Sequence, residues 1–316
     1  MFRKSSIIYC LMAILLICSG CSPTQQSTFD KDMRRVVFVS PQKELPVWVQ
    51  AKSGFMDAAR DYGFQAEWLG SEDCDLDEMT HQISIAIAEE VDAIITCPLT
   101  PGVFDQVFSQ AKEKGIPVIT VAVDASSPEL RSAFISPDYQ EIGRNQAAAL
   151  HEAVGGVMKI GVIMSTFDSQ NQIIQLNELE RYIQDLDGSE IVAYGQDFAN
   201  PTTGMYVFSE MLEQHPEINA VFVTSGDAVS NYGTILAGKG LQDSVVLIGM
   251  DAVEENIQAI LNGEIYGVMD QDYYQMGYYS GEFAFKILSG ETVSDVTFCD
   301  SMLVTKENVQ QIMDVK

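Results

Sequence analysis

From Arg34 onward the chain alternates short runs of apolar, often β-branched residues with longer stretches in which apolar positions recur every three or four residues. The runs are RRVVFVS (34–40), FQAEWLG (64–70), VDAIITC (91–97), IPVITVA (116–122), SAFIS (132–136), KIGVIM (159–164), SEIVAYG (189–195), NAVFVT (219–224), SVVLIGM (244–250) and IYGVMD (265–270). Most are apolar throughout rather than alternating, the pattern of strands covered by helices on both faces. Between 170 and 186, Ile173, Ile174, Leu179, Ile183 and Leu186 make one helical stripe, with Glu178, Arg181 and Asp185 expected to face away from it. Gly115, after a last turn bearing lysine and just before Pro117, reads as a helix stop, and Gly263 and Asp187-Gly188 repeat that punctuation.

Strand–helix alternation of this kind predicts an α/β fold with doubly wound parallel sheets. Ten strands are many for one such sheet, and the pattern restarts near Lys159, so two similar Rossmann-like lobes are expected. In such sheets ligands collect at the loops beyond the carboxyl ends of the strands. Those loops hold the candidate site.

The segment before Arg34 has a different logic. Arg3 and Lys4 precede an apolar stretch from Ile7 to Ile17, the order of an export signal, and that stretch is shorter than the roughly 20 residues of a spanning helix. Ser19-Gly20 before Cys21 resembles a bacterial lipobox, with Cys18 where a leucine-like residue is usual. Residues 1–20 are therefore expected to be a lipoprotein signal peptide, with Cys21 lipidated and anchoring the protein outside the cytoplasmic membrane. Residues 21–33 are expected to be a flexible tether, for they carry no apolar period.

Composition narrows the function further. The formal net charge is −27, and loss of residues 1–20 with Arg3 and Lys4 makes the chain more acidic still. A polyanion of this kind is repelled by phosphates, which argues against a nucleic-acid partner. Cys74, Cys97 and Cys299 make an odd number beyond the signal region and give no disulfide framework. His81, His151 and His215 are isolated, so neither a metal site nor a cofactor is expected.

The strand-end loops carry acceptors and aromatics. PQKELPVWVQ after the first strand brings Lys43, Pro46 and Trp48, whose indole offers a flat apolar face to a ring, although a core position suits it as well. Asp124 follows the fourth strand and Asp251 the ninth; ionised carboxylates only accept hydrogen bonds and so suit hydroxyl donors, with helix capping as the alternative role. Gln271, after the tenth strand, both donates and accepts, with Asp270 and Asp272 expected together on the opposite face. TFDSQNQ (166–172) and TSGDAVSN (224–231) add short polar side chains that caps also explain. No arginine falls in these loops and Lys43 is their only basic residue, so the expected ligand is a neutral, hydroxyl-rich molecule.

Taken in order, LPVWVQAKSGFMDAARDYGF, IAEEVDAIITCPLTPGVFDQVFSQAKEKGIPVIT, SAFISPDYQEIGR, EQHPEINAVFV, VVLIGMDA and NGEIYGVMDQDYYQMG resemble the bacterial periplasmic sugar-binding proteins of the ribose-binding type, over essentially all of 34–300. The resemblance implies two lobes joined by three crossovers, 34–137 with 272–299 and 138–271 with 300–316. A sugar or polyol would be clamped between them by a monomer that feeds an ABC permease or a membrane sensor. By position it places the ligand-binding residues at Trp48, Ser225, Asp251 and Gln271. Gln175 stands where the family usually has an arginine, Ala122 where it has an aspartate with Asp124 two residues on, and Val47 where it has a phenylalanine. Lys43, Asn171 within SQNQ, and the MDQDYYQMG string also resemble the branch that binds rhamnose-type sugars or a furanosyl quorum signal.

Other functions are disfavoured by what is missing. No G-x-G-x-x-G follows the first strand, no G-x-S-x-G elbow occurs, and an export-like segment stands where a repressor would carry its helix-turn-helix. The expectation is a binding protein, not an enzyme.

Overall fold

The computed structural model describes residues 33–310. The expected signal peptide, Cys21 and all of the tether but Met33 lie outside that span, as do the last six residues. The first half of the described chain runs β1 (Arg35–Ser40), α1 (Pro46–Tyr62), β2 (Gln65–Gly70), α2 (Leu76–Ala88), β3 (Ala93–Thr96), α3 (Pro101–Glu113), β4 (Val118–Val121) and β5 (Ala133–Pro137). Next come α4 (Tyr139–Val154), β6 (Lys159–Met164), α5 (Gln170–Ile183), β7 (Glu190–Gln196), α6 (Pro201–Gln214), β8 (Ala220–Val223), α7 (Val229–Lys239) and β9 (Val246–Met250). The chain then completes α8 (Glu254–Asn262), β10 (Gly267–Asp270), α9 (Tyr273–Leu288), β11 (Val296–Cys299) and β12 (Met302–Thr305).

The strands make two six-stranded sheets, ordered β2-β1-β3-β4-β5-β11 and β7-β6-β8-β9-β10-β12. Every pairing is parallel except that of β10 with β12. Both orders reverse beside the first strand, the kind of point where an open α/β sheet leaves a crevice for ligand. All ten expected strands are present. The two that the sequence did not announce, β11 and β12, are four-residue edge strands with half-exposed faces, and a short edge leaves no continuous apolar run to read.

Burial follows the pleat. Val36 and Phe38 of β1 enter the core on one face of the first sheet with Trp48 and Phe55, while Val37 and Val39 meet Met79, Ile83 and Phe104 on the other. In the second sheet Val221 and Val223 pack with Phe208 and Tyr232, and Phe222 packs opposite them with Leu150 and Leu179. Helix ends use the expected chemistry: Asp138 accepts from the N–H groups of Gln140 and Glu141 at the start of α4, and Gly263 ends α8 at a φ of +74°.

The chain passes between the lobes three times, at Pro137–Tyr139, Asp270–Tyr273 and Cys299–Met302. After the second passage α9 returns to the first lobe and lies on α1, backbone against backbone. A Cβ on Gly277 would stand 1.9 Å from the Ala51 carbonyl oxygen, so only glycine fits that crossing.

One expected solvent face is buried. Glu178 of α5 is 4% exposed, because Gly143 lets α4 approach α5 closely, and its carboxylate is paired with Arg181 and, at 3.8 Å, with Arg144. Two cations at the helix pair's edge make a buried carboxylate tolerable where the stripe alone placed it in water.

Candidate functional site

A cavity of about 420 Å³ opens between the carboxyl ends of the two sheets. Gln42, Leu45, Pro46 and Val47, between β1 and the start of α1, form one wall. The other wall comes from the second lobe: Ala199 and Pro201 after β7, Gly226 and Asp227 after β8, and Asp251 and Val253 after β9, with Ser230, Asn231, Glu255 and Asn256 from the helices that follow. Val253 also packs against the first-lobe cluster that contains Val47 and Trp48, so the two lobes meet at the edge of the cavity.

Asp251 is the best-built acceptor on this wall. It sits in left-handed backbone at φ 68°, a conformation costly for aspartate and held by its surroundings. Its N–H donates to the Met269 carbonyl at 2.8 Å, and its own carbonyl accepts from Asn256 Nδ2 at 3.0 Å. Gln271 Nε2 donates to Oδ1 at 2.6 Å, and Gly226 supplies the room, since a Cβ there would lie 2.2 Å from Oδ2. Asp251 does not cap α8, whose N-cap is Val253. Asn256, 1% exposed, also donates to the Gly226 carbonyl at 3.3 Å and accepts from the Ser230 N–H at 3.0 Å, which ties the β8 and β9 loops together.

Behind this layer lies a second carboxylate, Asp197, fully buried. Ser225 Oγ donates to its Oδ2 at 2.8 Å, Tyr232 Oη at 3.0 Å, and the Ala199 N–H donates to Oδ1 at 2.9 Å. Ser225 therefore serves the second wall by holding Asp197. Asp227, in front of it and partly buried, is pushed up to about 6, first by burial and then by the charge of Asp197. Burial likewise raises the phenols of Tyr139 and Tyr273, with the charge of Asp251 adding to both. These two tyrosines begin the helices that follow two of the crossovers.

The other expected site residues do not line this cavity. Trp48 is 6% exposed and packs edge-on against Phe38 at 6.3 Å and Tyr273 at 5.2 Å between ring centroids, within the first-lobe core. Lys43 extends toward Glu72, 3.5 Å away, while its carbonyl accepts from Trp68 Nε1 at 3.4 Å. Asp124 is taken up by Arg131: Nε meets Oδ1 at 2.9 Å and one terminal nitrogen meets Oδ2 at 3.0 Å, with Thr120 Oγ1 and the Ala125 N–H donating as well. Asn171 accepts from Ser169 Oγ at 2.6 Å and lies by Tyr139, and Gln175, 1% exposed, donates to the Asn171 carbonyl at 3.4 Å with its Oε1 unpartnered. Asp270 and Asp272 do not share a strand face. β10 ends at Asp270, whose Oδ1 accepts from the Ala252 N–H at 3.3 Å, and Asp272 turns left-handed to cap α9 through the Gln275 N–H.

Of the expected residues Asp251 lines the cavity, with Gln271 holding its carboxylate from behind; Ser225 holds Asp197, and Asp227 and Asn256 join the lining. The sequence signal for Asp197 and Asp227 was their place just beyond strand ends seven and eight; Asn256, inside α8, and Tyr232, inside α7, gave none, being polar groups buried by tertiary packing. Among the described residues no group of three or more His, Cys, Asp or Glu is arranged to hold a metal ion.

Comparison with known proteins gives a consistent picture. The sequence model of the periplasmic binding protein domain matches residues 36–292. The ribose import binding protein RbsB of Bacillus subtilis (strain 168) is 22% identical over 312 residues, covering 97% of this chain and all of RbsB. Among solved structures, GanP, a glucose-galactose binding protein from Geobacillus stearothermophilus, superposes with a TM-score of 0.83 at 25% identity, covering 88% of this chain and 99% of GanP. A XylFII–LytSN complex contains a chain that superposes at 0.79 with 22% identity, covering 87% of this chain and 98% of that one.

Proposed function

Because this chain belongs to the periplasmic binding protein domain family, we propose that it is a solute-binding protein that clamps a sugar or sugar-like polyol between its two lobes and delivers it to an ABC permease outside the cytoplasm. The observation that carries this reading is the cavity between the two sheets, with the Asp251 carboxylate held at its wall by Gln271. A carboxylate so fixed keeps acceptor positions for ligand hydroxyls, and Asn231 and Gln42 at the cavity offer both donors and acceptors. RbsB and GanP, by their names, bind ribose and glucose or galactose, which supports a sugar as the class.

A thermal-shift screen over pentoses, hexoses, polyols and the furanosyl signal tests the reading. A ligand at 100 times its Kd stabilises the folded state by about 2.7 kcal/mol and raises the Tm. Asp251→Ala is expected to weaken the best binder by about 2 kcal/mol through unpaired hydroxyls, read by calorimetry. A flat screen across the whole panel sinks the proposal.

A second reading has the same clamp reporting its occupancy to a membrane sensor, and the fold likeness to a chain found in complex with LytSN favours keeping it. Pull-down of a permease or of a sensor domain with sugar-loaded protein separates the two. Lipid on Cys21 would hold either form at the membrane. Cys21→Ser is then expected to move the protein from the membrane to the soluble fraction, and an unchanged membrane share removes the anchor.

A further inference from the structure

The cavity is more acidic than a neutral guest requires. Among the described residues three carboxylates line it, Asp227, Asp251 and Glu255, and no lysine, arginine or histidine does. Two basic residues of the first lobe are committed elsewhere: Lys43 faces Glu72, and Arg131 is shared by Asp124 and Asp295. Behind the wall the buried Asp197 spends its oxygens on Ser225, Tyr232 and the Ala199 N–H, so it adds negative charge.

Asp227 is the half-buried, cavity-facing end of this arrangement. Its carboxylate receives no hydrogen bond and no ion pair from the described residues, and Asp197 is its charged neighbour. Lobes closing over such a wall remove water from several like charges, which is costly unless a counter-charge enters with the ligand. A neutral sugar donates hydroxyl hydrogens but brings no charge. The lack of a basic residue among the described residues of the cavity wall argues against an anionic ligand, but not against a cationic one.

We propose that the ligand of this cavity is a hydroxylated ring carrying a protonated amine, an amino sugar or amino-cyclitol, whose ammonium group is met by Asp227 while Asp251 takes its hydroxyls. The inference rests on the solute-clamp reading above and specifies the ligand's charge. An ammonium brings three donors and one positive charge, which matches a wall of acceptors. A bare metal ion is a poor alternative, because the described residues hold no three-ligand cluster. The proton affinity of Asp227 agrees: its carboxyl is pushed up to about 6 by burial and by Asp197, no group among the described residues favours its ionised form, and a ligand cation would.

The test is calorimetry on the whole folded chain at pH 7.5 with matched pairs: D-glucosamine and D-glucose, D-galactosamine and D-galactose, amino-deoxy-inositol and myo-inositol, in each of which an ammonium replaces a hydroxyl of similar size, with the bulkier N-acetyl form of each amine as an uncharged control. The expected result is that in at least one pair the amine binds about tenfold or more tightly than its hydroxyl parent, and that acetylation removes the advantage. Asp227→Asn, nearly isosteric and checked for a cooperative melt, is expected to bring amine and parent to within about threefold of each other. Raising the salt concentration should weaken the amine and leave the parent unchanged. If the hydroxyl parent binds as tightly as its amine in every pair that binds, or if Asp227→Asn keeps the preference, the inference falls and the sugar-clamp reading stands. If no compound of either kind binds, both fall.

Discussion

At the scale of single residues, Asp227 carries a cost in the empty protein. Its folded-state carboxyl titrates near 6 because burial and Asp197 disfavour the charge, whereas an exposed aspartate titrates near 3.9. The folded state therefore binds this proton more tightly than the unfolded chain does. The contribution to stability is full below about pH 4 and is lost as pH rises through about 6, on the order of 2–3 kcal/mol in all. Asp227→Asn removes the charge and keeps the shape, so the ligand-free variant is expected to melt a few degrees above the parent at pH 7.5 and level with it near pH 4. A variant that melts below the parent at pH 7.5 would mean that some group stabilises the ionised side chain. Legibility at this scale was uneven. Asp251 and Gln271 were readable because both follow apolar strands directly, and strand ends are where such sheets present ligands. Trp48 was ambiguous because an aromatic one turn into a helix serves a core as readily as a cleft, and Phe38 and Tyr273 take its faces and edges here.

At the scale of elements, the same charge chemistry becomes scaffold. Arg131, with a side chain 1% exposed, joins Asp124 after β4 to Asp295 just before β11 and so fixes the first sheet's far edge. A guanidinium this deep needs both carboxylates, and losing one leaves a buried cation half-paired. Asp124→Ala is expected to destabilise the fold by about 2–4 kcal/mol in urea unfolding, with the calorimetric affinity of the surviving folded protein unchanged. Lost affinity at unchanged stability would put Asp124 back at the ligand. The sequence pointed to Asp124 as an acceptor and could not assign its donor. Arg131 lies seven residues on, beyond a short turn, and Asp295 precedes a strand too brief to be recognised. The long strands and helices were legible because their periodicity is local; β11, β12 and the Arg131 bridge exist only through contacts distant in sequence.

At the scale of the whole molecule, two like-charged lobes share one cleft. The formal charge of −27 is spread over both, so drawing the walls together works against repulsion and against desolvation of the cavity carboxylates. The contact that opposes this is apolar: Val253 from the second lobe against the Val47 and Trp48 cluster of the first. We propose that 34–137 with 272–299 and 138–271 with 300–316 move as bodies about the three crossovers, open when empty and closed on ligand, the hinge motion of two-lobed binders. The balance between the states is then set by the ligand's contacts on both walls plus this small apolar seam. Saturating ligand is expected to shrink the radius of gyration in small-angle scattering. Val253→Asp places a further negative charge in the seam and penalises only the closed form. It is expected to lower affinity about tenfold or more and to weaken the contraction at matched ligand concentration, with the urea midpoint of the empty protein little changed. A scattering curve that ignores saturating ligand would refute closure. A Val253→Asp protein of unaltered affinity would show that the seam does not set the closing equilibrium, leaving that balance to the ligand contacts alone.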